Sequence, residues 1–170
     1  VNEQLDIQQQ VQQAQSGDHH AFVELMKHME VRLYRIASAI VKKKEDIVDA
    51  MQETIIKAYE SLSRLREATF FETWIIRILI NECNAILRKK QRVIPFAEIR
   101  PSAVTSKAYE AVDIHQLVDQ LDEEKRQLII LHYFQDIPLK QVADIMNISE
   151  GTAKTRLHRT RKLLSHWLQD

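Results

Sequence analysis

Apolar residues recur every three or four positions along most of this chain, and strand-type alternation is hard to find. The spacing predicts an almost all-helical fold. In EDIVDAMQETIIKAYESL the inward positions are Ile47, Met51, Thr54/Ile55, Ala58 and Leu62, with Asp46, Asp49, Gln52, Glu53 and Glu60 on the other side. A second helix starts near Glu72 in FFETWIIRILINECNAILRKKQR, its apolar arc running through Ile75, Ile76, Leu79, Ile80, Cys83, Ile86 and Leu87. Opposite that arc lies a narrow polar stripe of Arg77, Asn81, Asn84 and Arg88, ending in the basic cluster Arg88, Lys89, Lys90 and Arg92. Phe70 and Phe71 precede this helix and are expected in the core, whereas Trp74, at the stripe's edge, suits core packing and base contact equally.

The periodicity lapses in VIPFAEIRPSAVTSKAYEA, which holds Pro95 and Pro101. A linker is therefore expected over residues 93–112, since unstructured connections this long are uncommon inside a compact domain, where a surface loop of one larger bundle is the alternative. The expected fold is all-α: two small helical domains, 1–92 and 113–170, joined by a flexible linker.

Between Pro138 and Trp167 two helices meet at a tight junction. Leu139, Val142, Ala143 and Met146 give the first its apolar face. Asn147 suits the left-handed residue that a sharp helix end needs, Ile148 plugs the angle, and Ser149 is a fitting N-cap. On the second helix Ala153, Leu157, Thr160, Leu164 and Trp167 face inward, which turns Gly151, Thr155, His158, Arg159 and Lys162 outward with Thr152 and Lys154 beside them. Such a helix-turn-helix with a basic outer side suits a DNA major groove: Lys and Arg neutralise phosphates while Thr155, His158 and Arg159 reach base edges. The competing reading is a solvated basic helix closing a small bundle.

Composition narrows the class. With two Gly and three Pro in 170 residues, helix is favoured again. The lone Cys83 excludes an internal disulfide and, on the apolar arc, is a poor nucleophile. No apolar run approaches the roughly 20 residues of a membrane span and no signal-peptide pattern opens the chain, so a cytoplasmic protein without membrane insertion is expected. Seven scattered His, no metal-ligand spacing and no glycine-rich phosphate loop argue against an enzyme, a metal site, a cofactor or a small-molecule substrate. His19-His20 reads as a solvated helix start capped by Asp18. Val1 in place of Met points to an alternative start codon or a trimmed start.

The formal net charge is zero, yet the signs are segregated. Five Lys/Arg and no acid fall between Gly151 and Gln169, whereas residues 45–60 hold five acids against Lys57 alone. An acidic helix repels DNA, so if it is more than a solvated face it needs a basic protein partner.

Taken in order, GDHHAFVEL, DAMQETIIKAY, FETWIIRILIN with LRKK, and LDEEKRQLIILHYFQDIPLKQVADIMNISEGTAKTRLHRTRKLL resemble the extracytoplasmic-function (ECF) sigma factors of the sigma-70 family, over about residues 16–168. The resemblance implies a region-2 domain up to residue 92 and a region-4 domain from residue 113. It implies that Asp49, Gln52 and Glu53 grip the beta-prime clamp helices of core RNA polymerase, with the beta flap as a further contact. Trp74, Arg77, Asn81, Asn84 and Arg88 would open and read the minus-10 element, and the loop Ser61 to Thr69 would capture a flipped-out base. Ser149, Gly151, Thr152, Lys154, Thr155, Arg156, His158, Arg159 and Lys162 would read the minus-35 element. An anti-sigma factor is the implied regulatory partner. The chain departs from the usual pattern at Ala85 (commonly Asp), Gln141 (commonly Glu) and Asn147 (commonly Gly). The alternative function is a two-domain helix-turn-helix regulator that is not a polymerase subunit.

Overall fold

Gly17, at φ 103°, ends one helix and Asp18 starts the next, its carboxylate accepting from the backbone N–H groups of His20 and Ala21 at 2.9 and 3.2 Å. Such a cap satisfies two of the orphan donors at a helix start. The computed structural model describes residues 2–93 and 114–169, so the expected linker lies outside the described residues except for Val93, which ends a helix.

Before that gap run α1 (Asn2–Gln15), α2 (His19–Val41), α3 (Lys44–Ser61) and α4 (Phe71–Val93), with two 3-10 turns, Leu62–Arg64 and Ala68–Phe70, between the last two. After it come α5 (Ile114–Asp119), α6 (Glu123–Ile129), a π turn over Ile130–Phe134, α7 (Leu139–Met146) and α8 (Glu150–Gln169). No strand occurs among the described residues.

Helices α2, α3 and α4 pack on one another, and α1 lies across α2 and the two 3-10 turns. Their core is built by Leu25, Met29, Ile36, Ile40, Phe71, Ile75, Leu79 and Ile80, all almost fully buried. Burying each such side chain contributes about 1.5–3 kcal/mol. Cys83 is buried among them. In the second half α7 and α6 pack on α8, around Leu128, Leu131, Val142 and Ala153. The halves also touch, α4 against α7 and α2 against α6.

Two sequence expectations are corrected. On α3 the buried positions are Ile47, Ala50, Thr54 and Ala58, and Ile55 is exposed. The arc is centred on small residues because α2 and α4 crowd this helix, and Thr54 satisfies its hydroxyl by donating to the Ala50 carbonyl at 2.6 Å. Phe71 is fully buried but Phe70 is 51% exposed. Adjacent residues at a helix start point about 100° apart, so one of the pair turns out.

Candidate nucleic-acid and partner surfaces

Asn147 makes the turn of the helix-turn-helix. It sits at φ 55°, ψ 45°, the left-handed region, while the Ile148 N–H donates to the Ala143 carbonyl at 3.0 Å. Asn tolerates this conformation better than other non-glycine residues. Ser149 then caps α8: its Oγ accepts from the Thr152 N–H at 3.0 Å. Ala153, Leu157, Thr160 and Leu164 are buried and Trp167 is half-buried, so the inward seam read from the sequence is the observed one.

Gly151, Thr155, His158, Arg159 and Lys162 are all exposed on the outer side, with Ser149 and Lys154 also exposed and Thr152 half-buried. Two cations of the expected reading set have partners inside the chain. Lys154 pairs with Glu150 one turn earlier at 2.8 Å, and Arg156, half-buried, pairs with Glu124 of α6 at 2.8 Å. The Lys154 ammonium, through a hydrogen bond and its charge, lowers the pKa of the Glu150 carboxyl. Arg156 thus points toward α6, beside the outward row that Arg159 belongs to.

On α4, Arg77, Asn81 and Arg88 are exposed, whereas Trp74 and Asn84 are half-buried. Trp74 packs on the core with its ring 6.0 Å from that of Phe71, leaving an edge beside the stripe. Phe70, turned outward, widens this border with a second aromatic face that periodicity had assigned to the interior. The preceding loop exposes Ser63, Arg64, Arg66, Glu67 and Thr69. It is braced by α1: the Gln15 amide donates to the carbonyls of Leu62 and Leu65 at 2.9 and 2.7 Å. In the basic cluster at the end of α4, Lys90 is neutralised by Asp46, which leaves Arg88, Lys89 and Arg92 as its exposed cations.

Asp49, Gln52 and Glu53 are exposed on α3 and line one wall of a shallow groove of about 400 Å³, with Glu82, Ala85 and Lys89 of α4 opposite. Beside them run Val48, Ile55, Ile56 and Tyr59, all large and all 38–53% exposed. The acidic face is therefore also an apolar one. Sequence reading missed this, although Val48, Gln52, Ile55 and Tyr59 follow one another at helical spacing; reading Ile55 as interior hid the row. Tyr59 is held by an edge contact to Phe22 and by its hydroxyl on His19 Nδ1 at 3.0 Å.

Burial pushes the Cys83 thiol up to about 12. Among the described residues no cluster of three or more His, Cys, Asp or Glu is arranged to hold a metal ion, and no helix is long and apolar enough to cross a membrane.

Known proteins match over the same two halves. The family description "Sigma-70 region 2" fits residues 25–93 and "Sigma-70, region 4" fits residues 111–164. The chain is 33% identical over 135 residues to the RNA polymerase sigma factor SigV of Bacillus subtilis, a match covering 77% of this chain and 81% of that one. Its fold resembles CnrH, solved in complex with the cytosolic domain of CnrY, at a TM-score of 0.72 and 22% identity over 96% of this chain and 97% of CnrH. It also resembles the sigma factor RpoE of Bartonella quintana, solved with the anti-sigma factor NepR, at a TM-score of 0.69 and 24% identity over 87% of this chain and 96% of RpoE. The chain belongs to the extracytoplasmic-function sigma factors of the sigma-70 family, the RNA polymerase subunits that direct transcription initiation.

Proposed function

We propose that three exposed surfaces divide the work of a sigma factor. The α3 face of Asp49, Gln52 and Glu53, with Val48, Ile56 and Tyr59 beside it, docks on the beta-prime clamp helices of core polymerase. The α4 stripe and its aromatic border take the minus-10 element. The outer side of α8 reads the minus-35 element, and the second half also meets the beta flap. Residues 1–92 and 113–170 then act as region-2 and region-4 domains joined through 93–112. An anti-sigma factor, like the NepR found with the B. quintana relative, is the proposed regulator.

The observation that carries this reading is the opposition of surfaces within one chain. A carboxylate-rich apolar face on α3 is separate from the outward cations of α8, so a protein and a duplex can be held together. The chain performs no chemistry of its own and acts in the cytoplasm. Strand opening draws on binding energy: stacking and amide contacts to unpaired bases offset the few kcal/mol that each unstacked step costs.

Sigma-70 matches in both halves favour this over a free-standing helix-turn-helix regulator, which has no use for a polymerase-facing α3. Changing Gln52 and Glu53 to Ala is expected to abolish association with core polymerase in a pull-down while leaving helical content unchanged. Retained association would overturn the assignment of α3.

A further inference from the structure

One side chain of α1 grips both ends of the first 3-10 turn after α3. The Gln15 amide donates to the Leu62 carbonyl at 2.9 Å and to the Leu65 carbonyl at 2.7 Å. Both partners are acceptors, so the amide nitrogen must face them, and its two hydrogens are both spent on the turn. The Leu62 oxygen also accepts the Leu65 N–H at 3.1 Å, so Gln15 closes over a turn that the backbone has already begun. Its own helix is fixed. Ile7 and Val11 are buried in the core, and the last turn of α1 runs into Gly17 at φ 103° and the Asp18 cap, which set the angle to α2.

The loop it grips is lightly anchored. Leu62 is buried and Leu65 and Ala68 are half-buried, but Ser63, Arg64, Arg66, Glu67, Thr69 and Phe70 are exposed. A segment with so little buried area opens locally at small cost unless hydrogen bonds hold it. Arg64 of this loop and Asn81 of the α4 stripe line one depression of about 490 Å³, together with Ser61, Ile78 and the Lys57–Glu82 ion pair. A guanidinium for phosphate and an amide for a base edge thus meet in a single wall, and the position of one of them depends on the turn.

We propose that Gln15 is a positioning residue for opening the minus-10 element. By fixing the Leu62–Leu65 turn it holds Arg64 in the wall shared with Asn81, and so keeps the depression shaped for an unpaired base before DNA arrives. Ordering the loop in advance lowers the cost of binding, so the effect of Gln15 falls on strand opening and base choice, and attachment to polymerase or duplex does not depend on it. This inference rests on the α4 stripe and its preceding loop being the minus-10 surface, and the test separates the two.

Gln15→Glu keeps the shape of the side chain and turns a donor into a carboxylate facing two carbonyls, whereas Gln15→Leu removes the donors without adding charge. Hydrogen exchange read by mass spectrometry follows the Leu62–Phe70 loop in the free chain. Each variant is also assembled with core polymerase on a promoter recovered from a genomic library by run-off transcription. Permanganate reactivity of unpaired thymines reports the open complex, and single-base changes through the minus-10 element report base preference. Asn81→Ala is the parallel variant of the stripe.

Both Gln15 variants are expected to speed exchange in the loop, to lower the open complex about fivefold for each hydrogen bond lost, and to flatten base preference at one minus-10 position. Affinity for core polymerase and minus-35 preference should stay at the wild-type level. Open complex at the wild-type level, base preference unchanged at every minus-10 position, or an equal loss of polymerase affinity makes Gln15 a residue of the fold alone and overturns the inference. Wild-type open complex in Asn81→Ala overturns instead the assignment of the stripe.

Discussion

Arg156 Nη1 lies 2.8 Å from Glu124 Oε2, an ion pair that ties the basic helix α8 back to α6. Glu124 is two-thirds exposed, so the pair is screened and worth about 1 kcal/mol or less to stability. It nonetheless engages one of the cations proposed to face DNA. Glu124→Gln should free Arg156 to reach a phosphate. The log–log salt slope of duplex binding should then steepen by about 0.9, the increment for one added contact. Fluorescence titrations from low to moderate salt measure this slope directly.

Arg159 and Lys162 stand on the same outward side of α8 but should behave differently. Arg159→Ala is expected to relax minus-35 sequence preference by about 1–3 kcal/mol at one position, the worth of a bidentate base contact. Lys162→Ala should weaken every sequence alike. Competition binding against single-base variants of a selected site distinguishes the two, and equal, sequence-blind losses from both would refute the role given to Arg159.

The exposed apolar row on α3 predicts that core polymerase is held by more than charge. Ile56→Ser lies on the surface, with Ile56 50% exposed, and should leave the thermal midpoint almost unchanged. Its affinity for core polymerase should nevertheless fall about tenfold or more, as for a truncated interface anchor. Surface plasmon resonance at two ionic strengths checks this, because the apolar loss persists at high salt while the contribution of Glu53 fades.

Burial raises the Cys83 thiol to about 12, so the folded protein keeps it protonated at neutral pH and withholds the thiolate. Alkylation at pH 8 should proceed only as fast as the chain opens, and denaturant should accelerate it sharply. The linkage has a definite sign. Because the folded value lies above the unfolded one, the contribution is complete below about 9 and is lost as pH climbs toward about 12. Mass spectrometry of the alkylated fraction over time tests both statements.

Legibility followed the range of the interactions. The Asn147 turn and the Ser149 cap were readable because their chemistry is settled within a few residues, and the α8 seam because five inward residues agree on one direction. Ile55 and Phe70 were misplaced for a common reason. Each has an adjacent residue, Thr54 or Phe71, that competes for the same buried site, and packing from α2 and α4 decides the winner. The hydrogen bond from the Gln127 amide to Asn84 spans 43 residues and joins two polar side chains, so no periodicity announces it. Arg156 shows the same limit, since family pattern placed it among the DNA contacts and only the position of α6 reveals Glu124 beside it.

The division of labour among α3, α4 and α8 is tested most directly by run-off transcription on a genomic library, with purified core polymerase and this chain as the sole added initiation factor. The account predicts transcripts whose start sites share two sequence elements at fixed spacing, and their loss when Gln52 and Glu53 are changed to Ala. A chain that leaves core polymerase without promoter-directed initiation, or one whose transcripts are untouched by those substitutions, would contradict it.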